Sequence, residues 1–118
     1  MRYLLKVLKA LADPNRVRIL KMLEIRPLCV CEITDVLHLA TSTVSKHLAI
    51  LRDAGLIVDS KDGKWVDYAL NDSLQQPYVN ELLPLLYTWL PEDTQIHSDA
   101  EKVQSVDRNA ICRSRGFG

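Results

Sequence analysis

The chain has 118 residues, of which 47% are apolar and 25% charged, and it contains few glycines and prolines. This composition is typical of one globular domain and excludes a disordered chain. No apolar run reaches the ~20 residues of a bilayer span, and the N-terminal sequence lacks a secretory cleavage pattern, so we expect no membrane partner. Three cysteines in such a chain favour free thiols in a reducing compartment, and a cytoplasmic protein is expected.

The formal net charge is zero, but the charges are unevenly distributed. Residues 1–64 carry 11 basic and 7 acidic side chains, whereas residues 65–118 carry 4 basic and 8 acidic ones. Phosphate binding depends on the local field of one protein face. A neutral chain can therefore still present a basic N-terminal surface to a nucleic acid.

Apolar residues at helical spacing predict four helices in the first half of the chain. The first helix is indicated by three leucines that recur at intervals of four and three residues, Leu4, Leu8 and Leu11. The second helix has Asp13 as its cap and Pro14 as its first residue, and it must end before Pro27.

The third and fourth predicted helices are separated by a short connection. The third begins near Cys31 and Glu32, because apolar side chains follow at spacings of three and four residues. Residues 42–54 form the clearest helix, in which Val44, Leu48 and Leu51 share one face. Gly55 stands where a C-terminal cap glycine belongs.

The second half of the chain predicts a hairpin, one more helix and a tail. Segments 56–58 and 66–70 read as strands joined by a turn at Asp62-Gly63. A last helix is expected over residues 77–90, and it is apolar around most of its circumference, so pairing with a second copy would bury it. Residues 91–118 are polar and acidic, so we expect a mobile tail after a domain of residues 1–90.

Two short helices followed by a charged hairpin predict a winged helix-turn-helix that binds double-stranded DNA. Small hydroxyl side chains on the outer face of the second helix can approach base edges, and lysines can neutralise phosphates. The candidate DNA-binding residues are Thr41, Ser42, Ser45, Lys46 and His47 on the helix and Lys61 and Lys64 on the wing.

Several separated segments resemble the ArsR/SmtB family of bacterial metal- and metalloid-sensing repressors. They are residues 9–20, 42–48, 51–56 and 62–68. The resemblance implies a mainly α fold with a small β-hairpin, in the order ααααββα, that dimerises through its first and last helices. The interface residues expected from it are Leu4, Leu8, Leu82, Leu86 and Trp89. It also implies a repressor that binds operator DNA until an inducer releases it. Ala40 stands where many relatives have a hydroxyl cap, and we expect Thr41 to replace it.

Cys29 and Cys31 are the most informative residues for chemistry, because two thiols one residue apart can hold one soft ion. Residues i and i+2 point to different sides of a regular helix, so both sulfurs can bind one ion only if the helix start is distorted or Cys29 precedes it. We expect the helix N-terminus and Arg26 to lower the pKa of these thiols.

The Cys-Val-Cys pattern resembles the site of arsenic-responsive members of the family. This resemblance implies As(III) or Sb(III) as the inducer, with no permanent cofactor. In those relatives a third cysteine follows three residues later, where this chain has Thr34. Either two thiolates suffice together with an exogenous ligand, or Cys112 supplies the third sulfur.

The sequence also allows other functions. A repressor of the same fold could respond to oxidation of a cysteine or to another metal, although a disulfide between residues two apart would be strained. The cysteines near the N-terminus and the paired histidines on the last helix that other family sensors use are missing here. No catalytic set of residues stands out, so an enzyme is not expected.

Overall fold

A computed structural model describes residues 1–107, and this part of the chain forms six helices and three strands. The elements in chain order are α1 (Arg2–Leu11), α2 (Pro14–Leu23), β1 (Leu28–Cys29), α3 (Val30–Leu37), α4 (Thr41–Asp53), β2 (Ile57–Asp62), β3 (Trp65–Leu70), α5 (Val79–Thr88) and α6 (Thr94–Ser105). In the described residues no helix combines the length and the apolar character needed to cross a membrane.

The boundaries of α2 and α4 follow from the local sequence, as predicted. The Asp13 carboxylate accepts hydrogen bonds from the backbone N–H groups of Asn15 (2.8 Å) and Arg16 (3.2 Å), so it caps α2. Gly55 follows α4 with φ +79°, a conformation that L side chains rarely adopt. A Cβ on Gly55 would also lie 2.8 Å from the Tyr3 hydroxyl.

The core is formed by side chains from all six helices, from β1 and from the start of the hairpin. It is built from aliphatic side chains that are almost fully buried, among them Ile19, Leu20, Leu28, Ile33, Leu48, Leu51 and Leu56. On α1 the buried residues are Val7 and Ala10, whereas Leu8 is 49% exposed. The predicted helix is therefore present, but of the three leucines used to predict it only Leu11 packs against the core.

The three strands form an antiparallel sheet in the order β1–β3–β2. Asp62 pairs with Trp65, so Gly63 (φ +61°) and Lys64 form the turn, one residue later than the predicted Asp62-Gly63. Strand β1 was not predicted, because two residues are too few to show a pattern. It pairs Leu28 with Tyr68 and Cys29 with Asp67.

The expectation of a polar tail without regular structure is wrong for residues 94–105, which form α6. Val103 is completely buried, and Asp99 is 1% exposed. Asp99 accepts two hydrogen bonds from Arg18 on α2, with N···O distances of 2.8 and 2.9 Å. This ion pair, the buried Val103 and hydrogen bonds from Arg26 to the end of the helix fix α6, and these long-range contacts explain why apolar periodicity did not reveal it. The functional division of the chain at residue 90 remains a prediction.

Candidate DNA-reading face and thiol pair

Helix α4 presents a mainly polar outer face, although Ile50 in its C-terminal half is 42% exposed. Val44, Leu48 and Leu51 are buried in the core. Among the predicted DNA-binding residues of this helix, Ser42, Ser45 and Lys46 are exposed, and Thr41 and His47 are half-buried. The arrangement leaves short hydroxyls and one lysine free to enter a DNA groove.

The N-terminus of α4 has no side-chain cap. Its cap residue is Ala40, and Thr41 is the first residue of the helix, so the expectation that Thr41 would cap it is wrong. The first backbone N–H groups of a helix lack intrahelical partners, and here no side chain caps them. These donors and the helix dipole favour a phosphate at this end.

His47 is oriented by a side chain of helix α2. The Arg16 Nη1 atom lies 3.2 Å from His47 Nδ1, and Arg16 also donates to the carbonyl oxygens of Lys9 and Ala10 at the end of α1. Because a guanidinium N–H can only donate, Nδ1 accepts, and the neutral imidazole carries its proton on Nε2. His47 therefore offers a donor to an incoming acceptor.

The wing carries its two predicted lysines at its tip. Lys61 and Lys64 are both exposed; Lys61 lies in β2 just before the turn, and Lys64 lies in the turn itself. The Lys64 Nζ atom lies 5.0 Å from the centroid of the Trp65 ring, a cation–π contact. This contact limits the directions in which Lys64 can point while leaving its charge at the surface.

The two sulfur atoms of the thiol pair lie close together. The Sγ atoms of Cys29 and Cys31 are 3.1 Å apart, and both residues are 3% exposed. Cys29 is the cap residue of α3, with an extended backbone (φ −89°, ψ 168°), and Cys31 is in the first turn. The requirement that Cys29 precede the helix is therefore met, and the two side chains converge.

A polar network closes the start of α3 around these sulfurs. The Cys29 backbone N–H donates to Glu32 Oε1 at 3.0 Å, and Arg26 Nη1 donates to Glu32 Oε2 at 3.1 Å. Arg26 Nη2 also donates to the carbonyl oxygens of Val103 on α6 and of Val106, the cap residue at the end of that helix. The thiol pair is thus connected to α6 through two side chains.

The expected lowering of the cysteine pKa is wrong for Cys29. Burial raises the pKa of its thiol to about 11, and the nearby Glu32 carboxylate adds to the rise, while backbone N–H groups oppose it. Arg26, expected to stabilise the thiolate, instead pairs with Glu32. Cys29 is therefore a neutral thiol at physiological pH.

The thiol pair contacts the wing directly, which the sequence did not predict. Cys29 belongs to β1, which pairs with strand β3 of the wing, and Trp65 packs against both cysteines. The only hint of this contact in the sequence is Trp65 itself, an apolar aromatic residue next to Lys64 of the wing. Sequence spacing could not show this contact, because the two segments are more than thirty residues apart.

The position of a third sulfur is not filled within residues 1–107. Thr34 donates its hydroxyl proton to the carbonyl oxygen of Val30 at 2.7 Å. The described residues contain no group of three His, Cys, Asp or Glu side chains able to hold a metal ion. Cys112 lies outside the described residues.

The predicted interface residues differ in their exposure. Leu8 (49%) and Trp89 (46%) are exposed, and Leu4 and Leu82 are half-buried. Leu86 is 3% exposed and belongs to the core of its own protomer, so its assignment to a dimer interface is wrong. It was assigned from an all-round apolar helix, which does not show which side faces the protomer's own core.

The fold and the exposed face of α4 define a winged helix-turn-helix regulator of transcription, as predicted. Residues 13–58 match the family described as "Bacterial regulatory protein, arsR family". The chain is 36% identical over 108 residues to the arsenical resistance operon repressor of Escherichia coli (strain K12), covering 89% of this chain and 82% of that protein. The chain therefore belongs to the arsR family, whose members are transcriptional regulators and not enzymes.

Two further comparisons agree with this assignment. The arsenic resistance transcriptional regulator ArsR1 of Pseudomonas putida is 42% identical over 78 residues, which is 65% of this chain and 60% of that protein. The solved structure of HlyU from Vibrio cholerae N16961 aligns with a TM-score of 0.61 and 36% identity, over 73% of this chain and 89% of that one. The winged-helix fold is thereby confirmed.

Proposed function

We propose that this protein is a repressor that binds operator DNA as a homodimer and is released when As(III) or Sb(III) binds Cys29 and Cys31. The observation that carries the proposal is the 3.1 Å distance between the two Sγ atoms. Two sulfurs that each lie ~2.3 Å from one soft centre, at an angle near a right angle, are ~3.2 Å apart. The two sulfurs therefore have a spacing that suits one metalloid.

The ionisation of Cys29 favours a neutral trivalent hydroxide over a divalent cation. Once Cys31 is in its reduced form, arsenous acid can condense with the two thiols, so that As(OH)₃ and two R–SH give (RS)₂As–OH and two water molecules. No net proton is released in this reaction. A divalent cation needs two thiolates and must displace two protons, which costs more where burial has raised the pKa of Cys29.

Release of DNA follows from where the thiol pair lies. Binding would fix Cys29 and Cys31 across the start of α3, and α3 packs on α4. The same event would act on β3 of the wing through the pairing with β1 and the contact with Trp65. Both DNA-contacting elements are thus reached from one site.

Cys112 is the proposed third sulfur ligand. Arg26 bonds both Glu32, beside the thiol pair, and the carbonyl of Val106, so the chain leaves α6 near the site. Cys112 follows Val106 by six residues, and an extended segment of that length spans ~20 Å. This reach supports a three-sulfur site within one protomer.

The proposed DNA contacts are Thr41, Ser42, Ser45, Lys46 and His47 in the groove and Lys61 and Lys64 on the backbone. The proposed dimer interface uses Leu4 and Leu8 of α1 with Leu82 of α5 and Trp89, which follows α5 directly. The exposure of Leu8 and Trp89 supports this interface, as do Leu85 (52%) and Tyr87 (70%) beside them on α5.

The test is operator anisotropy with arsenite, using a labelled duplex selected in vitro with the wild-type protein. Wild type should bind and be released, whereas Cys29→Ser and Cys31→Ser should bind with unchanged affinity and stay bound. Cys112→Ser should need a higher arsenite concentration. If either of the first two variants is released at the wild-type concentration, the site is wrong. Release by peroxide but not by arsenite would identify a redox-responsive repressor, and release by a divalent metal alone would identify another sensor.

A further inference from the structure

A basic cleft lies between α1 and the C-terminal half of α4. Its volume is 440 Å³. Four of its lining side chains are cations, Arg2, Lys6, Lys9 and Arg16, and one is an anion, Asp53. These five residues belong to none of the sites predicted from the sequence.

Three of the four cations lie on one face of α1. Arg2, Lys6 and Lys9 are separated by four and three residues, so they form one stripe along the helix. Like charges at this spacing repel one another, and α1 contains no acidic residue to offset them. Lys6 pairs only with Asp53 among the described ion pairs, at 3.5 Å, and both side chains are well exposed, so the pair is weak.

The stripe adjoins the outer face of α4. Asp53 follows Lys46 by seven residues, which is two helical turns on the same face and ~10 Å along the axis. Arg16 contacts His47 of α4 and the end of α1, so the two helices are held in a fixed relation. A helix lying in a major groove has a phosphate backbone along each flank.

We propose that Arg2, Lys6, Lys9 and Arg16 form a second phosphate-binding surface, which contacts the DNA backbone beside the groove that α4 enters. The inference rests on the proposed binding of operator DNA and adds to it a contact made by α1. Asp53 weakens this contact, because its carboxylate faces the same phosphates. The surface contributes affinity without sequence selectivity, since phosphates carry no base information.

The test is the salt dependence of operator binding by the full-length protein. Each lost phosphate contact reduces the slope of log K against log salt by ~0.9. Lys6→Ala/Lys9→Ala should therefore lower the slope by ~1.8 and weaken binding about tenfold or more in moderate salt. Asp53→Asn should strengthen binding several-fold. Lys102→Ala, an exposed lysine on α6, is the matched control and should change neither quantity.

Two further measurements separate this contact from an effect on dimerisation or folding. Lys6→Arg/Lys9→Arg should restore the wild-type slope, and sedimentation should give every variant the wild-type mass. An unchanged slope in the alanine variant, or no gain in Asp53→Asn, overturns the inference. Absence of DNA binding by wild type would overturn the proposed function as well, whereas failure of arsenite to release DNA would overturn only the proposed function.

Discussion

The two helices of the DNA-binding motif begin in opposite ways. At the start of α3, the side chain of Glu32 accepts the backbone N–H of Cys29, pairs with Arg26 and is itself buried. At the start of α4, the cap residue is Ala40, no side chain caps the helix, and the first turn lies at the surface. One helix end is closed inside the protein, and the other is open to solvent.

The two helix starts are therefore suited to different functions. An enclosed end whose polar groups are paired cannot accommodate a new ligand without shifting its partners, so a ligand there is felt by the neighbouring elements. An open end has donors that an anion can use at little cost. The closed end fits a sensor and the open end fits a phosphate contact.

The largest expected effect comes from breaking the closed end. Glu32→Ala removes the acceptor of the Cys29 N–H and the partner of Arg26, and it should lower the free energy of unfolding by ~2–3 kcal/mol. Urea unfolding followed by circular dichroism measures this loss. Glu101→Ala, an exposed glutamate on α6, is the control and should change stability by less than ~0.5 kcal/mol. Equal losses in the two variants would refute the account of a closed end.

A smaller effect should appear at high pH. The folded-state pKa of Cys29 is raised from 9.0 to about 11, so the stability that depends on the neutral thiol is complete below pH 9 and is lost as the pH rises to 11. Between pH 9 and pH 10 wild type should lose up to ~1.4 kcal/mol relative to Cys29→Ser. Tyr3 and Tyr68, whose pKa values are also raised by burial, titrate in both proteins and cancel. Parallel pH profiles would show that Cys29 is not buried as described.

The smallest effect comes from closing the open end. The backbone of Ala40 is already extended (φ −62°, ψ 146°), as a cap residue requires. Ala40→Ser should therefore stabilise the protein by ~0.5–1 kcal/mol, because the hydroxyl can accept an unpaired N–H. Ala49→Ser, on the exposed face of the same helix, should instead destabilise it slightly. Thermal unfolding of both variants distinguishes a capping effect from a general effect of serine.

The parts of the structure that the sequence predicted are those fixed by local rules. Asp13 with Pro14, and Gly55 after a periodic apolar face, marked the ends of α2 and α4 because caps depend on neighbouring residues. Helix α6 was missed because it is held by a long-range pair, Arg18 with Asp99. The contact of Trp65 with the thiol pair was missed for the same reason.

For the thiol pair, the geometry could be predicted in part from the sequence, but the pKa could not. Helix periodicity left two arrangements open, a distorted helix start or Cys29 before the helix, and the structure has Cys29 as the cap residue of α3. Its pKa was predicted in the wrong direction because the burial of Cys29 and the pairing of Arg26 with Glu32 are tertiary properties. Charge near a thiol in the sequence does not determine the field that the thiol experiences in the fold.

The most direct test of the central claim is the fluorescence of Trp65 during an arsenite titration. The chain has two tryptophans, so Trp89→Phe leaves Trp65 as the only emitter. Because Trp65 packs against the cysteines, its emission should change over the arsenite range that releases operator DNA, and the change should vanish when Cys29→Ser is added. Operator release with constant Trp65 emission would contradict the claim that the metalloid binds at the start of α3.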